Sequence, residues 1–167
     1  MNKRSKYIAA AAQLGPIDPN DSKETVVARM CNLLTEAKAQ GAALVVYPEL
    51  CFTTFFPRYF ITDQSKLDTF YESEVPVFLI SDMLEFVKNE DMIISFGYAE
   101  KDNNTPFNTS VYIDPFGKVL GKYRKIHLPG HYEYEPERPF QHLEKRYFKK
   151  GNLGFPTFQT TLGRLGM

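Results

Sequence analysis

The sequence predicts an α/β fold built on a strand–helix–strand unit. An apolar stretch at residues 7–14 is followed by a helical apolar stripe and then by A-A-L-V-V-Y at residues 42–47, which shows no polar alternation. A strand without alternation is covered on both faces, as in parallel sheets flanked by helices. Hydrophobic residues make up 43% of the chain and charged residues 24%, which excludes wholesale disorder. The 167 residues suffice for one ordinary domain with a real core.

Residues 7–14 read as a buried strand, small residues flanked by Tyr7 and Ile8 and closed by Gly15-Pro16. Asp21 followed by Glu24 resembles a capping box, in which the cap carboxylate accepts backbone N–H groups while the glutamate reaches back. Behind it Val26, Val27, Met30, Leu33, Leu34 and Ala37 keep helical spacing, and Gly41 is a natural stop. Cys31 lies beside that stripe and reads as a packed thiol. A second helix is predicted over residues 78–89 on the stripe Phe78, Met83, Leu84, Phe86 and Val87. Residues 92–99 form a strand. Residues 107–113 and 118–126 form a hairpin across D-P-F-G, where Pro115 suits the second turn position and Gly117 the tight end. Residues 157–161 are strand-like, and G-R-L-G-M opens another apolar run.

Several partner classes are disfavoured. Twenty basic side chains balance twenty acidic ones, so there is no electrostatic footprint for nucleic acid or an anionic membrane. The run Lys122, Tyr123, Arg124, Lys125 is basic but short, and its plain reading is a solvated turn. At the N-terminus M-N-K-R-S-K precedes an apolar run, as in a signal peptide, but the run breaks at Gln13 and is short for one. No window has the length of a membrane span. Two cysteines, Cys31 and Cys51, make no disulfide framework, so a cytoplasmic location is expected.

Two residues stand at strand ends. Glu49, in Y-P-E-L, directly follows an apolar strand, and ligands of open α/β sheets bind at the C-terminal ends of strands. A half-buried carboxylate there is a candidate general base; capping the next segment or pairing with a lysine is its structural alternative. Lys125 has the parallel location and could hold positive charge where an oxyanion develops, though a lone strand-end lysine is more often solvated. The histidines are ambiguous. His127 and His131 are four apart, but Pro129 and Gly130 between them prevent the helical turn that would align two metal-binding imidazoles. His127 and His142 read equally as polar pocket donors or as hydrogen-bonded loop histidines. Glu144 sits between Phe140, Leu143 and Phe148, which suggests a segment packed on the body; a surface pair with Lys145 or Arg146 is the alternative.

P-E-L at residues 48–50, K-Y-R-K-I-H-L-P-G at 122–130 and the terminal G-R-L-G-M together resemble the nitrilase, or carbon-nitrogen hydrolase, superfamily. The stretches T-T-F-F-P-R at 53–58, R-P-F-Q-H-L-E-K-R-Y-F at 138–148 and G-N-L-G-F-P at 151–156 resemble N-carbamoyl-D-amino acid hydrolases in particular. The resemblance implies a four-layer αββα sandwich, represented here by its N-terminal half, and a Glu-Lys-Cys triad needing no cofactor and no metal. Glu49 would be the general base, Lys125 the oxyanion stabiliser and Glu144 an accessory glutamate, with His127 and His142 lining the pocket. The implied substrate is a small N-carbamoyl amino acid, hydrolysed to the free amino acid, ammonia and carbon dioxide by an enzyme that forms homodimers or tetramers.

In the family the nucleophilic cysteine follows G-R-L-G-M, and this sequence stops at Met167. Cys51 reads as packing, because its segment is already leaving the strand. Residues 1–167 are therefore expected to be the N-terminal portion of one larger domain, inactive and poorly stable alone, with a sheet edge exposed. Three other readings remain: a different amidase of the superfamily, a non-catalytic subunit that binds a full-length partner, and, least favoured, a zinc hydrolase using His127, His131 and His142.

Overall fold

The computed structural model describes residues 6–167, so Lys3 and Arg4 of the signal-like stretch lie outside the described residues. Five strands form one mixed sheet in sequential order: β1 (Ile8–Ala11), β2 (Ala42–Val46), β3 (Ile93–Asp102), β4 (Thr105–Ile113) and β5 (Val119–Arg124). The first three pair in parallel, and β3, β4 and β5 form an antiparallel meander. The predicted α/β class and the parallel strand–helix–strand unit are both present.

Helix α1 (Lys23–Ala39) connects β1 to β2, and α3 (Ser81–Glu90) precedes β3; the short α2 (Gln64–Asp68) lies between them. Val26, Met30 and Leu34 of α1 and Met83 and Val87 of α3 pack with Val45, Ile94, Phe96, Tyr98, Val111 and Ile113 in one buried cluster. Alternate residues of β3 and β4, Ile93 and Tyr112, belong to a different cluster with Leu162 and Phe158. A second sheet, the hairpin of β6 (Thr157–Thr160) and β7 (Gly163–Gly166), thus covers part of the face opposite the helices. Among the described residues no helix is long and apolar enough to cross a membrane.

Several local expectations are corrected. β1 is an edge strand, not a buried one, with Ile8 55% exposed. Val46 is likewise open, so β2 is covered on both faces over only part of its length. The cap of α1 is Ser22, whose hydroxyl accepts from the Thr25 amide, while Asp21 turns to an ion pair with Arg29. Phe78 lies before α3 and is 90% exposed, because the helix starts at Ser81 and buries only Met83 and Val87 fully. The D-P-F-G turn forms as predicted: the Gly117 amide donates to the Asp114 carbonyl, with Gly117 at φ 76°. The β3–β4 turn uses Asn103 and Asn104, both at positive φ, the residue type that best tolerates this region after glycine.

Candidate active site

Glu49 and Lys125 leave β2 and β5 just past their ends. The chain turns sharply at Glu49, and Leu50 adopts φ 48°, uncommon for a residue with a branched side chain. This bend is held against β3 by backbone bonds from Gly97 to the Pro48 carbonyl and from Cys51 to the Gly97 carbonyl. A Cβ at position 97 would stand 2.6 Å from the Glu49 Cα, so glycine lets the bend approach the strand. The same bend breaks strand alternation and separates the fates of Glu49 and Cys51. The Cys51 thiol is turned inward, 1% exposed and 4.0 Å from the Met30 sulfur, and burial pushes its pKa strongly up. Its reading as a packing residue is supported.

On the face opposite the helices, Lys125 Nζ lies 2.8 Å from Glu49 Oε2 and 2.9 Å from Glu144 Oε2. Glu144 is 1% exposed, opening the single helical turn α4 (Glu144–Tyr147). That turn is docked by a bond from the Leu143 amide to the Pro57 carbonyl, with Leu143, Tyr147 and Phe148 buried beneath it. The segment therefore packs on the body as expected, except that Phe140 is 60% exposed and lies under the Arg58 guanidinium. Burial alone would lower the Lys125 pKa; hydrogen bonds and charge from Glu49 and Glu144 outweigh it, and the net shift is upward. Lys125 is thus a firmly held ammonium between two carboxylates.

Sequence reasoning missed a fourth member. Asn108, buried on β4, donates from Nδ2 to Glu49 Oε2 at 3.0 Å and lies 3.4 Å from Glu144 Oε2. Its main-chain carbonyl accepts from the Lys125 amide at 2.8 Å. The available signal was a single amide between Phe107 and Thr109, in a strand that also carries Thr105, Ser110 and Tyr112, too weak without a partner to point at.

The histidines separate. His142 joins the cluster through a 3.0 Å contact between Nε2 and Glu144 Oε1, with Phe55 edge-on to its ring. His127 is exposed and stacks on Phe155, and among the described residues it makes no hydrogen bond or ion pair with the cluster. His131 pairs instead with Gln141 and Glu135. A cavity of about 410 Å³ adjoins Glu49 and is lined also by Thr53, Thr54, Phe55 and Arg58. Of the cluster only Glu49 lines this cavity. A partly exposed carboxylate beside a fixed ammonium can take a proton from one reactant while the ammonium stabilises negative charge on another.

The basic run before Lys125 is not a solvated turn. Lys122 and Arg124 lie in β5, and both pair with Glu100, 2.6 Å and 2.8 Å away, on the face that carries Tyr98. Burial acts to raise the Glu100 pKa, but hydrogen bonds from Arg124, Lys122 and Thr109 reverse this and hold it at about 2.

The sequence pattern of the family described as carbon-nitrogen hydrolase matches residues 8–167. The chain belongs to that family. It is 30% identical over 151 residues to the N-carbamoylputrescine amidase of Arabidopsis thaliana, covering 89% of this chain and 46% of that one. It is 32% identical over 164 residues to the nitrilase of Pyrococcus abyssi, covering 96% and 53% respectively. The crystal structure of a carbon-nitrogen hydrolase from Helicobacter pylori G27 superposes with a TM-score of 0.69 at 25% identity, over 93% of this chain and 50% of that one. The fold is that of these α/β sandwiches, and the chain spans about half the length of the curated relatives it matches.

Proposed function

We propose that the whole protein is an amidohydrolase acting on N-carbamoyl-D-amino acids, with residues 1–167 forming the N-terminal portion of its single catalytic domain. The observation that carries this reading is the Lys125 ammonium between Glu49 and Glu144 at the ends of β2 and β5, beside an open cavity. The family supports a carbon–nitrogen hydrolase, and relatives named N-carbamoylputrescine amidase support a carbamoyl group as the reacting part. The stretches at 53–58 and 138–148 favour an amino acid as the rest of the substrate, and the D configuration rests on that resemblance.

In this mechanism Glu49 takes the proton of a cysteine thiol supplied beyond residue 167. The thiolate attacks the ureido carbonyl, and Lys125 stabilises the oxyanion. One nitrogen departs with a proton returned by Glu49. Water then cleaves the resulting thiocarbamate, releasing the thiol, and the N-carboxy product loses carbon dioxide. Net, one ureido compound and one water give an amino acid, ammonia and carbon dioxide. Glu144 orients Lys125, and His142 and His127 contact substrate. Pairing of whole subunits would cover the open sheet face.

The test is to express the gene together with the coding sequence beyond codon 167 and measure ammonia release. N-carbamoyl-D- and L-amino acids, N-carbamoylputrescine, simple amides and nitriles would be compared. Preferential turnover of N-carbamoyl-D-amino acids, abolished by Glu49→Gln and by Lys125→Ala, is the expected result. Turnover only of nitriles or simple amides would overturn the substrate; turnover by the 167-residue chain alone would overturn the need for an added cysteine. Co-purification of that chain with an intact paralogue at fixed stoichiometry would favour the non-catalytic reading.

A further inference from the structure

On the opposite side of the sheet from the Glu49–Lys125 cluster lies a second buried charge network. Glu100, 2% exposed, accepts from Arg124 Nε at 2.8 Å, Lys122 Nζ at 2.6 Å and the Thr109 hydroxyl at 2.7 Å. Arg124 continues outward to Asp102 at 2.8 Å and Asn152 at 3.0 Å, and its guanidinium stacks over Phe107. Every hydrogen-bonding site of the Glu100 carboxylate that the network reaches is filled by a donor from β4 or β5.

The two networks are joined by strand periodicity. Thr109 pairs with Arg124 across the meander, and the residues next to each, Asn108 and Lys125, point to the other face. A slip of one residue in β4–β5 would exchange the faces, placing Arg124 among the site carboxylates and Lys125 beside Glu100. The sequence Lys122, Tyr123, Arg124, Lys125 offers several cations for such errors. Lys125 is also pinned from outside, because the Gly151 amide donates to its carbonyl at 3.0 Å and Asn152 holds Arg124 next door. Gly151 sits so close that a Cβ there would fall 1.9 Å from the Arg124 carbonyl oxygen. A buried ion pair is a poor source of net stability compared with apolar packing. Its use here is to specify which cation goes to which face.

We infer that Glu100 is a positioning residue for the catalytic cluster: by capturing Thr109, Lys122 and Arg124 on the far face, it fixes the register and end of β5 and so delivers the Lys125 ammonium to Glu49 and Glu144. This rests on the proposed role of Lys125, but its physical content is independent of any substrate.

The test uses the whole protein with Glu100→Gln, Glu100→Asp and Thr109→Val. Two readouts are taken: steady-state kinetics, and the rate of reductive methylation of Lys125 relative to exposed Lys150, followed by peptide mass spectrometry. In the wild type Lys125 should react more slowly than Lys150. Glu100→Gln should speed Lys125 modification by about tenfold and lower kcat at least as much with KM nearly unchanged, the pattern of a lost transition-state contact. Glu100→Asp should recover part of both. Thr109→Val removes only a neutral hydroxyl, so it carries the test if Glu100→Gln fails to fold, and a smaller rise in Lys125 reactivity is expected. Folded variants whose Lys125 reactivity and kcat match the wild type, with only the melting temperature lowered, would overturn the inference. If the wild type hydrolyses no carbamoyl compound, the functional reading fails while Lys125 reactivity still decides this one.

Discussion

The amide of Lys125 donates to the carbonyl of Asn108 at 2.8 Å, and both side chains converge on Glu49 Oε2 from that shared bond, at 2.8 Å and 3.0 Å. One backbone contact thereby sets two side-chain contacts to the same oxygen. Replacing Asn108 by Ala removes the neutral donor between two carboxylates and leaves the Lys125 ammonium to bridge them alone. We predict about 1–2 kcal/mol lost from stability and a fall in whole-protein activity larger than that alone explains. Urea unfolding and kinetics of N108A would measure both, and wild-type activity would remove Asn108 from the site.

Lys125 and Glu144 should be strongly coupled. Lys125→Met strands a buried carboxylate and is predicted to cost about 3 kcal/mol, whereas adding Glu144→Gln should return part of that loss. A double-mutant cycle by chemical denaturation checks this. Additive losses would mean that the 2.9 Å contact carries no interaction energy.

Gly97→Ala introduces a methyl 2.6 Å from the Glu49 Cα, and its three nearest neighbours are all backbone atoms of Glu49 and Leu50. A cost of about 2–3 kcal/mol is expected from the forced shift, together with faster modification of Lys125 as Glu49 moves away. Unchanged unfolding midpoints would show that the bend has room.

Acid should weaken the protein through Glu100. Its folded pKa of about 2 lies below the ordinary value of 4.5, so its contribution is fully present above the unfolded pKa and is lost as pH falls towards 2. The stability gap between wild type and Glu100→Gln should therefore hold steady above about pH 5 and narrow as pH is lowered from there towards 2. A gap constant with pH would assign the stability to something other than ionisation.

Cys51 offers a direct control. Its buried thiol should resist a disulfide-exchange reagent in the native state and react fully on unfolding. In the whole protein Cys51→Ala should keep its activity while losing about 1 kcal/mol of stability. Loss of turnover without unfolding would make Cys51 the nucleophile after all.

What the sequence made legible follows from its local signals. The helical stripe of α1, the unalternating β2 and the D-P-F-G turn depend on residues close in sequence, and each formed where expected. That Glu49 and Lys125 meet was legible because both sit at strand ends, a position readable without knowing the partner strand. Asn108 and Glu100 depend on the β3–β4–β5 register, which the sequence does not spell out. The burial of β1 was misjudged because an apolar strand looks the same whether its second face is covered or open. Phe78 was misjudged for a related reason: helical spacing does not say where the first turn begins.

Order of assembly is a consequence of the meander. β3, β4 and β5 are joined by the Asn103–Asn104 turn and by D-P-F-G, so their pairing closes short loops, whereas β1–β2 and β2–β3 close only after long crossovers. The ladder that carries Asn108 and leads into Lys125 should therefore form early, and β2, which leads into Glu49, should dock later. Pulsed hydrogen exchange during refolding should protect amides of β4 before those of β2. In that sequence of events the ammonium waits in place, and the carboxylate that completes the cluster arrives with the closing of the parallel half.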